Sequence, residues 1–78
     1  MHKYEVNRGQ TLNILTPFNI KFTDIKTETV VKNDSVILKS EYPNGLYIEI
    51  TQYNDKIILL SNRELIDNGD GTFTAPAQ

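Results

Sequence analysis

SVILKSEYPNGLYIEITQYNDKIILLS, residues 35–61, decides the fold. Pro43-Asn44-Gly45 interrupts two alternating runs and has the chemistry of a three-residue, bulged hairpin loop. Proline presets φ at the first corner and glycine takes the left-handed position. A loop of that length pairs Tyr42 with Leu46. It then sets Ser40 against Ile48, Leu38 against Ile50, and Val36 against Gln52. Opposed residues of an antiparallel pair share a face, so Val36, Leu38, Ile48 and Ile50 form one apolar surface. The other surface pairs Lys39 with Glu49 and Glu41 with Tyr47. A two-residue loop would set Leu38 against Glu49 and scramble both faces, because a slip of one residue inverts every side chain.

Asn54-Asp55 closes a second hairpin. It suits a two-residue type I′ turn, in which both residues take φ > 0. The implied pairs are Tyr53 with Lys56, Thr51 with Ile58, Ile50 with Leu59 and Glu49 with Leu60. Leu59 joins the first apolar surface. Tyr47, Thr51, Tyr53, Ile58 and Leu60 gather on the second, which is too apolar to stand fully in water. Another strand, a rolled end of the sheet or a partner is expected over it.

The rest of the chain is also strand-like, with no helical period. Short strands are expected at residues 3–6, 11–15, 18–22 and 27–32, with turns at Asn7-Arg8-Gly9-Gln10 and Asn33-Asp34. Phe18, Ile20 and Phe22 fall on one side of the third of these. Asp24-Ile25-Lys26 reads as a bulge or corner, and Thr16-Pro17 as a break, since proline donates nothing to a ladder. A C-terminal hairpin spans about residues 64–74, following the meander at 35–61. Six or seven short strands with two partly apolar faces predict an all-β chain, folded as one small domain over residues 1–78. A closed antiparallel barrel of SH3-like or OB-like form is expected, with a miniature β-sandwich as the alternative.

Composition narrows the chemistry. A chain of 78 residues buries only about 60% of its unfolded surface, so its stability is marginal. Without cysteine it forms neither disulfides nor thiolate metal sites. That fits a reducing compartment, and the N-terminal MHKYEVNRGQ lacks the apolar core of a secretory signal. A cytoplasmic location in a bacterial host is expected. The net charge of −2 supplies no basic footprint for nucleic acid. Arg8 and Arg63 are the only arginines. No apolar run approaches the roughly 20 residues of a membrane-spanning helix.

Asp67-Asn68-Gly69-Asp70-Gly71 invites a calcium reading. An EF-hand loop places oxygen ligands at alternate positions and ends on a bidentate Glu. Here glycine holds the third position and no Glu follows. Asn-Gly and Asp-Gly instead furnish the φ > 0 residues of a tight turn. His2, the single histidine, lies at the terminus, where a general base would have no fixed position. Glu49 with Glu64, or Asp67 with Asp70, read as solvated acids rather than a catalytic pair. No hydroxyl has a base and an orienting acid beside it. No cofactor is expected and no enzymatic activity.

DNGDGTFT, residues 67–74, resembles the final hairpin of bacterial immunoglobulin-like repeats. The resemblance covers about a tenth of the chain, which has no tryptophan and no cysteine pair. It implies, as one alternative, a fragment of an extracellular repeat whose gene continues on either side.

The aromatic residues remain. Tyrosine buries area at low entropic cost and keeps a polar tip, which favours interfaces. It also stacks on bases in single-strand binders, with Lys39, Lys56 and Arg63 as the basic rim. Within a closed barrel, Tyr47 and Tyr53 would instead cap the core. The expected function is a non-enzymatic binding module, with another protein as partner and self-association as a further form. Heavy use of Asn, Ile, Lys and Thr suggests A/T-rich coding, as in phages and mobile elements. An inhibitor of a host factor or a minor virion component is the concrete expectation, with a nucleic-acid-binding barrel as another alternative.

Overall fold

The computed structural model describes residues 1–7, 12–16 and 20–76. Its strands are β1 (His2–Asn7), β2 (Asn13–Leu15), β3 (Lys26–Val31), β4 (Val36–Glu41), β5 (Tyr47–Gln52), β6 (Lys56–Ser61), β7 (Ile66–Asp67) and β8 (Thr72–Thr74). A 3-10 turn occupies Phe22–Asp24. Five strands form an antiparallel sheet in the order β1-β6-β5-β4-β3, and three form a mixed sheet in the order β2-β8-β7.

The meander has the register its turns imply. Ser40 faces Ile48, Leu38 faces Ile50 and Lys39 faces Glu49. Thr51 faces Ile58 and Ile50 faces Leu59. At the first loop Tyr42 N donates to Leu46 O at 2.8 Å, and Gly45 adopts φ 86°. The segment after β6 ties this loop down. Arg63 donates to the Asn44 carbonyl at 2.7 Å, Asn62 Nδ2 donates to Gly45 O at 2.8 Å, and Asn62 Oδ1 accepts from Tyr47 N at 2.9 Å.

The second loop differs in conformation. Tyr53 N donates to Lys56 O at 2.9 Å, so the pairing is as expected. Neither Asn54 nor Asp55 has positive φ, however, and the turn is not type I′. Loop length alone fixes register. A two-residue loop built from right-handed residues also closes a hairpin, with a poorer match to strand twist.

The core lies between the two sheets. Val6, Ile48, Ile57, Leu59, Leu65, Phe73 and Ala75 are buried there with Leu46. The Tyr4 and Phe73 rings meet at 5.3 Å, tilted by 56°. The Tyr4 hydroxyl accepts from Leu65 N at 2.7 Å and donates to Leu65 O at 3.2 Å, fastening β1 to the approach to β7. Each large side chain fully withdrawn from water in such a core contributes about 1.5–3 kcal/mol.

The expected barrel is not closed among the described residues. Closure needs the two end strands to find each other. Here β1 and β3 end the sheet, while β2 and the C-terminal hairpin pair with one another. They form a separate layer that brings Phe73 and Leu65 onto the β1-β6-β5 half of the inner face. Burial falls away toward β3: Leu59 is 0% exposed, Val36 37% and Val31 75%.

Two further expectations change. β2 and β8 run parallel, Ile14 beside Phe73, a pairing that no hairpin turn can announce because parallel strands need a crossover. The alternation at residues 18–22 does not yield a strand at Ile20 and Lys21, and Phe22 enters the 3-10 turn. Phe18, the break at Pro17, Thr11 and the Arg8-Gly9-Gln10 turn lie outside the described residues.

Candidate functional site

The outer face of the five-stranded sheet is assembled by strand registers. Side chains directly opposite across neighbouring strands line up in rows. One row runs Val30, Ile37, Thr51, Ile58, Glu5 across β3, β4, β5, β6 and β1. The adjacent row runs Glu28, Lys39, Glu49, Leu60, Lys3. Beyond it come Lys26, Glu41 and Tyr47. The face thus carries one largely apolar stripe beside a patch of alternating charge.

All five residues expected to form a site are on this face and only partly buried: Tyr47, Thr51, Tyr53, Ile58 and Leu60. They are not one cluster. Thr51, Tyr53, Ile58 and Leu60 line an open depression of about 510 Å³ together with Lys3, Asp55 and Lys56. The Lys56 ammonium sits over the Tyr53 ring, 5.8 Å from its centroid. Tyr47 lines a second depression of about 390 Å³, with Lys26, Thr27, Glu28, Lys39 and Glu41. Six residues along a strand separate the two tyrosines by about 20 Å.

The Tyr47 hydroxyl donates to Glu49 Oε2 at 3.1 Å. Partial desolvation, then that hydrogen bond and the charges of Glu49, Glu28 and Glu41, push its pKa above the usual tyrosine value. It remains a protonated donor at any physiological pH. The phenol of Tyr42, packed against the core, is raised by burial.

Residues 68–71 form the turn between β7 and β8, with Gly69 at φ 80° and Gly71 at φ 89°. Asp67 Oδ1 accepts from Gly69 N at 2.9 Å. Asp70 Oδ1 accepts from Thr72 N at 3.1 Å and from the Thr72 hydroxyl. The Thr72 bonds hold the Asp70 carboxyl below the usual carboxylate range. Both acids thus serve the loop's own backbone. Among the described residues, no three His, Cys, Asp or Glu side chains gather into a metal-ligand set.

His2 is exposed and begins β1 opposite Ser61. Glu49 bonds Tyr47 on the outer face, whereas Glu64 is exposed between β6 and β7. Of the three cations expected as a basic rim, Lys56 lies at the edge of the Tyr53 depression. Arg63 turns to the Asn44 carbonyl, and Lys39 stands between Glu28 and Glu49.

Lys3 escaped the sequence reading because it reaches the depression only through β1 pairing with β6, a contact between distant parts of the chain. Ile37 and Val30 were within reach: the register of β4 carries both to the face of Thr51. Comparison with protein-family models, with curated proteins and with solved structures finds no match for this chain.

Proposed function

We propose that the protein is a non-enzymatic β module that binds another protein through the outer face of its five-stranded sheet. The supporting observation is the depression formed by Thr51, Tyr53, Ile58 and Leu60, which no element among the described residues covers. Aromatic and aliphatic side chains rimmed by Lys3, Asp55 and Lys56 have the composition of a small protein interface, an apolar centre with a charged border. We take the two stacked sheets as a miniature β-sandwich that presents this face outward. An inhibitor of a host factor or a minor virion component, encoded by a phage or mobile element and acting in a bacterial cytoplasm, fits a small module of this kind. The alternating charges around Tyr47 count against a nucleic-acid surface, which needs a continuous basic track.

The test compares the wild-type protein with Tyr53→Ser combined with Ile58→Ser. Proteins retained from bacterial lysate are identified by mass spectrometry, purified and titrated against both forms. The proposal expects a purified partner whose affinity falls by at least about tenfold in the variant, with an unchanged circular dichroism spectrum. Equal affinity for both forms refutes it.

A further inference from the structure

We infer that β3 is a self-association edge, pairing antiparallel with β3 of a second copy about a two-fold axis at Val30. This goes beyond the outer-face reading and does not depend on it.

The backbone geometry comes first. Lys32 N donates to Ser35 O at 2.8 Å, so these two form a hydrogen-bonded pair at the β3-β4 hairpin. Antiparallel ladders alternate. Val31, Thr29 and Thr27, opposite Val36, Leu38 and Ser40, therefore turn their N–H and C=O groups away from β4. Among the described residues β4 is the only strand beside β3. An edge of this length with unpaired groups is a template for another strand.

The charges select the register. With Val30 opposite Val30 of the second copy, Thr29 faces Val31 in both directions and their outward backbone groups match. On the outer face Glu28 then meets Lys32 twice, one pair on each side of the axis. Moving the axis to Thr29 sets Lys26 against Lys32. Moving it to Glu28 sets Glu28 against itself, and moving it to Val31 sets Glu28 against Asp34. An axis at Thr27 pairs Lys26 with Glu28 but throws Val30 onto Asp24, in the 3-10 turn. Like charges directly opposite are destabilising and unlike charges stabilising, so the axis at Val30 pairs residues 28–32 of the two copies without conflict, and Thr27 and Lys26 then lie beside Asn33 and Asp34 of the β3-β4 turn.

The apolar surface agrees. Val31 and Val36 are exposed on the inner face beside β3, at 75% and 37%. Pairing about Val30 brings the Val36-Val31 row of one copy against the Thr29-Leu38 row of the other. On the outer face it joins the Val30-Ile37 stripes of both copies. The opposite edge, β1, offers no such gain, because its inward residues Tyr4 and Val6 already pack in the core.

Sedimentation equilibrium tests this on the whole protein, with circular dichroism confirming the fold of each variant. The wild type is expected to dimerise at concentrations up to millimolar. Glu28→Lys and Lys32→Glu, each alone, should weaken the dimer by on the order of tenfold or more. The two together should restore it. Thr29→Pro removes an N–H that points away from β4, which an edge strand tolerates, and should leave a folded monomer. Tyr53→Ser with Ile58→Ser should leave the dimer intact. A wild type monomeric at millimolar concentration overturns the inference. So does a dimer that ignores the single charge reversals or that the double reversal fails to restore.

Discussion

Leu59 and Leu60 are neighbours on β6 with the same side chain, and they meet opposite surroundings. Leu59 faces the second sheet and is 0% exposed. Leu60 faces outward beside Lys3 and Glu49 and is only partly buried. The same contrast runs along the meander: Ile48 against Tyr47, Ile57 against Ile58. Strand alternation produced two apolar surfaces, and among the described residues the second layer covers only part of one. What separates core from surface here is therefore which face received β8 and Leu65. Hydrophobicity alone does not distinguish them.

The contrast can be broken from the core side first. Phe73→Ala should cost about 3–5 kcal/mol in denaturant unfolding, enough to unfold much of a marginal domain, since Phe73 is 2% exposed and packs on Tyr4. Gly45→Val should cost about 1–3 kcal/mol in backbone strain. Crowding adds to this, because a Cβ at Gly45 would lie 3.2 Å from the Arg63 guanidinium. Gly69→Ala, at a similar φ with nothing within 4 Å, should show the strain alone and lose less. Tyr4→Phe should cost about 1–2 kcal/mol, because the backbone N–H and C=O of Leu65 lose their shared partner. On the open face, Tyr47→Ser with Tyr53→Ser should change unfolding free energy by no more than about 1 kcal/mol. Unfolding of that double variant would mean the rings belong to the core.

The smallest effect is electrostatic. The carboxyl of Asp70 is lowered in the folded state, so its contribution is fully present above the unfolded pKa of about 3.9 and is lost as pH falls through the folded value. Asp70→Asn should flatten the acid limb of the stability curve slightly, and leave stability near neutrality almost unchanged, because the site is exposed. Tyr47 acts in the opposite direction. Its raised pKa means stability is complete below the unfolded tyrosine value and declines as pH rises through the folded one.

The meander was legible because turns are local. Pro43-Asn44-Gly45 and the length of Asn54-Asp55 fix which residues oppose, and the two faces follow by alternation. The conformation at Asn54-Asp55 was not, since several backbone paths close a loop of equal length. Nor were the neighbours of β1 and β2. Val6 opposite Ile57 and Ile14 beside Phe73 are brought together by burial between distant segments, and no turn residue records that. The barrel is not closed among the described residues for the same reason: two apolar faces show that cover is wanted, without saying how much chain is available to provide it. The members of the candidate site could be placed on one face from sequence. Their division into two depressions follows β5, where Glu49 stands between Tyr47 and Thr51 and lines neither depression.

Serine substitution at Leu59 and, separately, at Leu60 tests the asymmetry of the sheet most directly, read by urea unfolding of both proteins. Leu59→Ser should lose at least about 3 kcal/mol or fail to fold, and Leu60→Ser should lose less than about 1 kcal/mol. Equal losses at the two positions would mean that both faces are core, and the account of a one-sided sheet with an open binding surface would be wrong.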